Sequence, residues 1–380
     1  MKVCYLDHAA TTPVRREVID AMVQTLERDW GNASSPHGTG RRARAVIECA
    51  RAQVAGLVDC PPEAIIFTSG GTEANNLAVL GTARAGDRRH VVCGAIEHHS
   101  VLDACQALAR DGFEVSWVRP DGQGIIAPKD VESALRPDTA LCALMLANNE
   151  VGAVQPVRAV AEICRDRGVP LHVDAVAALG RMPVEAERLG VDLLSVSAHK
   201  IYGPQGVGAL YIRPGHQLRP LLAGGGQERR WRPGTENVAA ITGFGVAAEL
   251  AAREWPEWVA HLEGVDAALR GRIAAAELGA IEVGPSDRNR RVAGVLSLVF
   301  PHLDGDALRT ALDLADVRVG AGSACSSGSL EPSHVLLAMG YSESVAPTIV
   351  RLSAGRATGS DEVERAVAAL RKAVALQWGR

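Results

Sequence analysis

The side chain with the clearest chemical potential in this sequence is Lys200, at the centre of the segment SVSAHKIYGPQGVG. The chain has four lysines among its 40 basic residues, so basic side chains elsewhere are mostly arginines. Arginine cannot form an imine because its guanidinium stays protonated, whereas a desolvated lysine amine can lose its proton and act as a nucleophile. We therefore interpret Lys200 as a Schiff-base candidate; the alternative is an ordinary exposed lysine in a loop.

A glycine-bearing turn, TSGGTE, supplies a second chemical feature. It follows the β-branched run IIF and leads directly into an apolar helical stretch. The free amides and the dipole of a helix start favour an anion, so the turn predicts a phosphate cradle that includes Gly71 and Thr72. The spacing matches neither GxGxxG nor GxxxxGK[ST], which weakens dinucleotide and P-loop interpretations. A purely structural strand-to-helix turn is the alternative.

Three further polar residues follow apolar runs that predict strands. Asp174 ends GVPLHVD, where a carboxylate is costly unless it meets a positive group. His98 and its neighbour His99 lack a third ligand at a suitable spacing, so no metal site is expected, and a flat imidazole can instead stack on a flat cofactor. Asn149 follows TALCALMLA and is either a turn former or a donor to a ligand.

The elements that carry these residues alternate between strand and helix through residue 212. This alternation predicts an α/β fold with a doubly wound, mainly parallel sheet. In such sheets ligands bind at the carboxyl ends of the strands. We expect that edge to collect a set of five residues: Thr72, His98, Asn149, Asp174 and Lys200.

The length of 380 residues favours two domains. We predict that the helix beginning VAAITGFG ends near Trp255 and Pro256. The division then gives a large cofactor-binding domain over 15–255, and a small α+β domain formed by 1–14 and 256–380 that carries Cys325.

Cys325 differs from most of the other cysteines, which lie in apolar patterns where a thiol acts as a small hydrophobe. It lies in the glycine- and serine-rich segment GSACSSGSLEP, which predicts an exposed, mobile thiol and a candidate nucleophile. An inert free thiol is the alternative. The eight cysteines include no CxxC pair, so we expect reduced thiols and no structural zinc.

Composition excludes several classes of function. The net charge is −4, and the arginines are scattered rather than arranged in a basic stripe with aromatics, which argues against direct nucleic-acid binding. No segment approaches 18 consecutive apolar residues, and the first residues show no charged leader followed by an apolar core. We therefore expect a cytoplasmic protein with no membrane partner.

The candidate groups match the requirements of one cofactor. Pyridoxal 5'-phosphate (PLP) requires an imine-forming lysine, a phosphate cradle and an acid-base partner for its ring nitrogen. Lys200, the SGGT turn and Asp174 supply these three functions. The sequence thus predicts a PLP enzyme.

The chain as a whole resembles the NifS/IscS-type cysteine desulfurases, PLP enzymes of the class V aminotransferase fold (fold-type I). The resemblance covers nearly the entire chain, and its motifs are collectively very specific. They are YLDHAATTP, TSGGTEANN, IEHHSVLD, ANNEVG, HVDA, SAHKIYGPQGVGALY, GGGQERRWRPGTEN, GSACSSGSLEPSHV and VRLSAGR.

The resemblance implies a role for each matched site residue. Lys200, Cys325 and His98 would be catalytic, with His98 also stacked on the cofactor ring. Asp174 would face the ring nitrogen, and Asn149 the phenolic oxygen and the substrate. The phosphate would be held by Gly71, Thr72, Ser197, His199 and, from the neighbouring subunit, Thr235.

The implied reaction converts L-cysteine to L-alanine and leaves sulfur on Cys325 as a persulfide. Arg351 would grip the substrate carboxylate in bidentate fashion. The implied assembly is an obligate homodimer that delivers sulfur to an acceptor protein. Iron–sulfur cluster assembly, tRNA and DNA phosphorothioate modification are all open as destinations. The chain stops soon after its last predicted helix, without the longer tail by which IscS proteins meet their scaffold, which puts that partner in doubt.

Two classes of alternative function stay open. A selenocysteine lyase or an aminotransferase would share the fold, but neither needs a flexible cysteine loop. A non-catalytic sulfur-transfer scaffold would keep the fold without the activity. The sequence also departs from the family pattern HVDAxQ at Ala177, where glutamine usually donates to the cofactor's phenolic oxygen and alanine cannot.

Overall fold

The computed structural model describes residues 3–322 and 332–378 of the chain. Within these ranges twelve strands form three sheets. The strands are β1 (Cys4–Leu6), β2 (Ile65–Thr68), β3 (His90–Gly94), β4 (Glu114–Val118), β5 (Thr139–Ala143), β6 (Leu171–Asp174), β7 (Leu193–Ser197), β8 (Gly208–Ile212), β9 (Ile281–Val283), β10 (Val295–Val299), β11 (Val317–Val319) and β12 (Val350–Ser353).

Eleven α-helices accompany the strands in the same ranges. They are α1 (Arg16–Arg28), α2 (Gly38–Leu57), α3 (Gly71–Ala83), α4 (His99–Arg110), α5 (Pro128–Ala134), α6 (Val157–Asp166), α7 (Ala186–Leu189), α8 (Val238–Ala275), α9 (Gly305–Leu314), α10 (His334–Ala338) and α11 (Ser360–Gln377).

The largest sheet has seven strands in the order β2-β8-β7-β6-β5-β3-β4. All neighbouring pairs are parallel except those of β8, which runs antiparallel to both β2 and β7. The connection from β7 to β8 is too short for a helical crossover, so the chain returns antiparallel. The mainly parallel sheet predicted from the sequence is confirmed. The carboxyl ends of β2, β3, β5, β6 and β7 share one edge.

Both faces of this sheet are covered, as expected for a doubly wound fold. Successive strand residues alternate between two hydrophobic clusters: Ile65 and Phe67 pack with residues of α2 and α8, whereas Ile66 packs with residues of α3 and α4. This alternation follows from the period of two along a strand. The apolar strand runs seen in the sequence are therefore buried from both sides.

The predicted helix end at Trp255 and Pro256 is wrong. Helix α8 continues through Pro256 for 38 residues in all. A proline inside a helix costs roughly 3 kcal/mol, but Trp258, Leu262 and other apolar residues beyond it are buried and offset that cost. Although it is long, neither α8 nor any other helix of the described residues is apolar enough to cross a membrane.

Two smaller sheets involve the later part of the chain. One has the antiparallel order β12-β10-β9, and in the other β1 pairs in parallel with β11, Cys4 opposite Val317. The first strand thus joins elements more than 300 residues further along. The division into domains 15–255 and 1–14 with 256–380 stays a prediction, with α8 running through its boundary.

Candidate active site

A cavity of about 220 Å³ lies at the shared carboxyl edge of the large sheet. Its lining includes eight of the residues singled out from the sequence: Gly71, Thr72, His98, Asn149, Asp174, His199, Lys200 and Arg351. Strands β2, β3, β5, β6 and β7 deliver most of them, because the parallel arrangement brings their carboxyl ends to one place. The structure brings these residues together, while the role of each stays a prediction.

Three predicted site residues have a different position. Ser197 is buried at the end of β7, with its Cβ 3.7 Å from where a Cβ of Gly71 would stand. Thr235 is exposed in the segment before α8 and is absent from the described lining of the cavity. Cys325 lies outside the described residues.

The Lys200 amine lies just beyond β7, at the end of a short 3-10 turn. It donates hydrogen bonds to the carbonyl oxygens of Ala9 and, at 2.8 Å, Ala10. Burial, with a further contribution from the nearby Arg351 and Arg181 guanidinium groups, lowers the pKa of Lys200 from 10.5 to about 8. Close to neutral pH this amine therefore supplies a neutral, nucleophilic fraction that an exposed lysine does not.

The carboxylate of Asp174 is held at the end of β6. Its Oδ1 accepts from the backbone N–H of Val176 at 2.9 Å, and its Oδ2 accepts from Asn75 Nδ2 at 2.7 Å. The side chain is 5% exposed and lines the same cavity as Lys200. A buried, oriented carboxylate of this kind can hold a proton or a positive charge on a ligand.

The start of α3 forms the predicted cradle. Its N-cap is Gly70, which has no side chain to satisfy the first amides of the helix. A Cβ at Gly71 would come within 2.8 Å of Val176 Cγ2, so only glycine fits there without movement. Glu73 Oε2 accepts from the N–H of Ser69 at 2.6 Å, and this carboxylate is paired with Arg232 at 2.9 Å. The free amides and the helix dipole suit an anion.

The Arg351 guanidinium is 1% exposed and already engaged. Its Nη2 pairs with Asp7 at 2.7 Å, and its Nη1 donates to the carbonyls of Asn149 and Gly322, each at 2.9 Å. A Cβ at Gly320 would approach Nη2 to 2.6 Å, so a glycine is required beside the fork. The predicted bidentate grip on a carboxylate stays a prediction, and it requires Asp7 or a carbonyl to yield its place.

Ala177 is half-buried and lines the cavity beside Lys200 and Asn149. Its methyl group offers no hydrogen bond, as expected from the sequence. The donor that the family pattern provides at this position is therefore lacking, while Asn149 and Asn75 are amides that line the same cavity.

Sequence reasoning did not assign roles to several residues of this site. Asn75 and Ser100 connect Asp174 to His98 through hydrogen bonds, and His334 stacks edge-on against His99 with ring centroids 4.7 Å apart. Asn75 is one of two adjacent asparagines in the motif TSGGTEANN, and its spacing does not indicate that it faces Asp174. The motif SHV, which carries His334, was the one available signal for that residue.

The buried carboxyl groups of Glu97 and Glu150 also border the site. Glu97 Oε1 accepts from the backbone N–H of Met145 at 2.5 Å, and burial raises the pKa of Glu97 well above its usual range. Glu150 Oε2 accepts from Ser333 Oγ at 2.5 Å, and burial raises its pKa too. In both groups burial disfavours the charged carboxylate. In the described residues no group of three or more histidine, cysteine or acidic side chains is placed to hold a metal ion.

Three comparisons with known proteins agree with one another. The family model for aminotransferase class-V matches residues 4–366. The chain is 43% identical over 365 residues to the cysteine desulfurase IscS of Dictyoglomus turgidum, covering 94% of this chain and 91% of that protein. A NifS-like protein of known structure superposes with a TM-score of 0.91 at 35% identity, covering 99% of this chain and 100% of that one. A structure of SspA in complex with cysteine superposes with a TM-score of 0.81 at 32% identity, covering 93% and 99%.

Proposed function

The chain belongs to the aminotransferase class-V family, and we propose that within it this protein is a PLP-dependent cysteine desulfurase that converts L-cysteine to L-alanine. Relatives that are about 40% identical along nearly the whole chain carry the name cysteine desulfurase. One structural neighbour was solved with cysteine bound. The observation that carries the proposal is the buried Lys200 amine in one cavity with Asp174 and the start of α3.

The residues present fit PLP. The close approach of Gly71 to Val176 and the uncapped start of α3 suit a phosphate. Asp174 supplies a fixed carboxylate for a protonated ring nitrogen, and Lys200 supplies the amine for covalent attachment. When bound, PLP supplies an electron sink for the α carbon of an amino acid.

The chain's own residues have distinct tasks in this reaction. Lys200 Nζ, neutral in part near pH 8, would hold the cofactor covalently and, once released, moves a proton to or from the substrate's α carbon. The Asp174 carboxylate would keep a proton on the ring nitrogen of the cofactor. Arg351 binds the substrate carboxylate, exchanging it for one of the bonds it makes to Asp7, Asn149 or Gly322. The imidazole ring of His98 serves as a proton carrier during the reaction.

Cys325 receives the sulfur. Its thiolate attacks the substrate sulfur, so an S–S bond forms as the C–S bond of the substrate breaks. The electron pair of the broken bond stays with the substrate carbon, which takes up a proton to give the methyl group of alanine. Cysteine and the Cys325 thiol together thus become alanine and a Cys325 persulfide, with atoms and electrons in balance. A sulfur-acceptor protein then removes the terminal sulfur.

The functional unit in this proposal is a homodimer. Thr235 is exposed and is absent from the described lining of its own chain's cavity, which agrees with a role at the partner's cavity. The loop that carries it is anchored to its own chain through Arg51 and Glu228.

The test begins with covalent mapping. Borohydride reduction and proteolysis of the purified protein should place a pyridoxyl mass on the Lys200 peptide, and Lys200→Ala should remove it. Cys325→Ser should keep that mass but abolish alanine release from L-cysteine, because a hydroxyl is a far weaker nucleophile toward sulfur. A pyridoxyl mass on another lysine, alanine release at the parental rate from Cys325→Ser, or a keto acid as the product would overturn the proposal.

A further inference from the structure

A buried line of hydrogen bonds joins Asp174 to His98 through two side chains that the proposed mechanism does not use. Asn75 Nδ2 donates to Asp174 Oδ2 at 2.7 Å and to Ser100 Oγ at 2.8 Å. Ser100 Oγ lies 2.7 Å from His98 Nδ1. Asn75, Ser100 and Asp174 are each less than 7% exposed, so water does not compete for these contacts.

The direction of each bond in this line can be assigned from Asp174. A carboxylate only accepts, so the Asn75 amide must turn its NH₂ toward it; the flipped amide would place two acceptors 2.7 Å apart. The second hydrogen of the same NH₂ then points at Ser100 Oγ. With its oxygen accepting from Asn75, the Ser100 hydroxyl is free to donate to His98 Nδ1.

A second, independent contact also determines the protonation of His98 Nδ1. The backbone N–H of Ser100 also donates to His98 Nδ1, at 3.1 Å, because His98 is the N-cap of α4. A ring nitrogen that accepts a backbone N–H cannot itself carry a hydrogen. Both donors therefore require the same state, in which Nδ1 is bare and the proton of the neutral ring is on Nε2.

We infer that Asn75 and Ser100 are positioning residues, which transmit the charge of Asp174 to His98 and hold its ring proton on Nε2. The tautomer assignment does not depend on the proposed function; only the role of His98 during turnover rests on it. Within that function, His98 acts as a proton donor from Nε2 and its Nδ1 takes no part. The Asp174 carboxylate, which in the proposed function would face the ring nitrogen of the cofactor, thus also favours one tautomer of His98.

The charged and titratable groups around His98 are consistent with a ring that stays neutral. Burial lowers the pKa of His98, and the positive Lys200 and the neighbouring His99 and His334 act in the same direction, whereas Asp174 acts against them. Protonating Nδ1 would in addition reverse its contacts with the Ser100 hydroxyl and N–H. Removing the hydroxyl should therefore make protonation of the ring easier.

The test is ¹⁵N NMR of the PLP-loaded enzyme labelled at histidine, with His98→Gln used to assign the signals. In the parental enzyme at pH 7, Nδ1 of His98 should have the shift of an unprotonated ring nitrogen and Nε2 that of an N–H. Ser100→Ala should raise the pKa of His98 by roughly half to one pH unit, the effect of one lost neutral hydrogen bond. Ser100→Thr, which keeps the hydroxyl, should restore the parental titration.

A double variant tests the order of the line. If Asn75 acts through Ser100, then Asn75→Ala should add nothing to the effect of Ser100→Ala on His98. Full additivity would show that Asn75 acts by another route and would overturn the inference, as would a parental ring protonated on Nδ1 or an unchanged titration in Ser100→Ala. Because the spectrum does not depend on turnover, failure of the proposed activity would be seen separately, in the alanine assay.

Discussion

The chemistry of single residues in this cavity is governed by what each charged group loses when it is buried. Lys200 loses water and gains two carbonyl oxygens, a neutral replacement that leaves its charge less stable than in solution. The positive Arg351 and Arg181 add to that cost, while Asp174 and Asp7 reduce it. The amine that results is reactive at a pH where exposed lysines are fully protonated.

This property predicts the pH dependence of cofactor uptake. Only the neutral amine attacks an aldehyde, so the rate at which cofactor-free protein binds PLP should rise with pH to a midpoint near 8, not near 10.5. Asp7→Asn should move the midpoint lower, because the Asp7 carboxylate raises the pKa of Lys200. Stopped-flow absorbance at several pH values measures both, with Asp20→Asn, at a half-exposed position on α1, as the control. A rate that is flat between pH 7 and 9 would contradict the assignment.

At the scale of the elements, the segment from Gly224 to Asn237 contains strained backbone and is fixed in place by a buried ion pair. Glu228, Arg229 and Arg230 adopt consecutive left-handed conformations, with φ of 42°, 55° and 69°. Such conformations are costly for residues with a Cβ and persist when surrounding contacts fix them. Here the Glu228 carboxylate makes two bonds to Arg51, at 2.7 and 2.8 Å, and accepts from the N–H of Phe67.

Breaking this buried pair should therefore be expensive. Glu228→Gln removes the buried partner of Arg51 and leaves only the half-exposed Glu48 to compensate its charge, so we expect a loss of about 3 kcal/mol in the free energy of unfolding. Glu48→Gln is the matched control: its carboxylate also contacts Arg51, at 3.0 Å, but is 48% exposed, so its loss should cost about 1 kcal/mol or less. Urea titration of both variants measures the difference. Equal losses in the two variants would show that burial does not increase the contribution of the Arg51–Glu228 pair to stability.

The elements also show where sequence reasoning succeeded and where it stopped. Lys200, Asp174 and His98 were expected at one sheet edge because a strand's end can be inferred from its apolar run, and the structure places them there. Asn75 could not be found in this way, since its position depends on how α3 crosses the sheet. The continuation of α8 beyond Pro256 was missed because the local cost of proline is visible in a sequence and the packing that offsets it is not.

For the whole molecule, the assembly can be tested by mixing chains. If Thr235 serves the partner's site, a Lys200→Ala chain paired with a Thr235→Ala chain has one intact site of two, and such heterodimers should recover about half of the parental activity. A chain carrying both substitutions, paired with a parental chain, is the matched control, because crossed geometry leaves it no intact site. Recovery in the control pairing and not in the first, with exchange verified, would show that Thr235 acts within its own chain.

The pairing of β1 with β11 has a consequence for how the protein is made. Residues 4–6 leave the ribosome well before their partner strand, Val317–Val319, which is synthesised more than 300 residues later. At translation rates of roughly 5–20 residues per second, β1 waits roughly 15–60 seconds for it. Ala9 and Ala10, which hold the Lys200 amine, follow β1 directly and share that delay. A nascent chain can thus complete its seven-stranded sheet long before β11 is available to pair with β1, so the segment that holds the reactive lysine is secured only after β11 has been made.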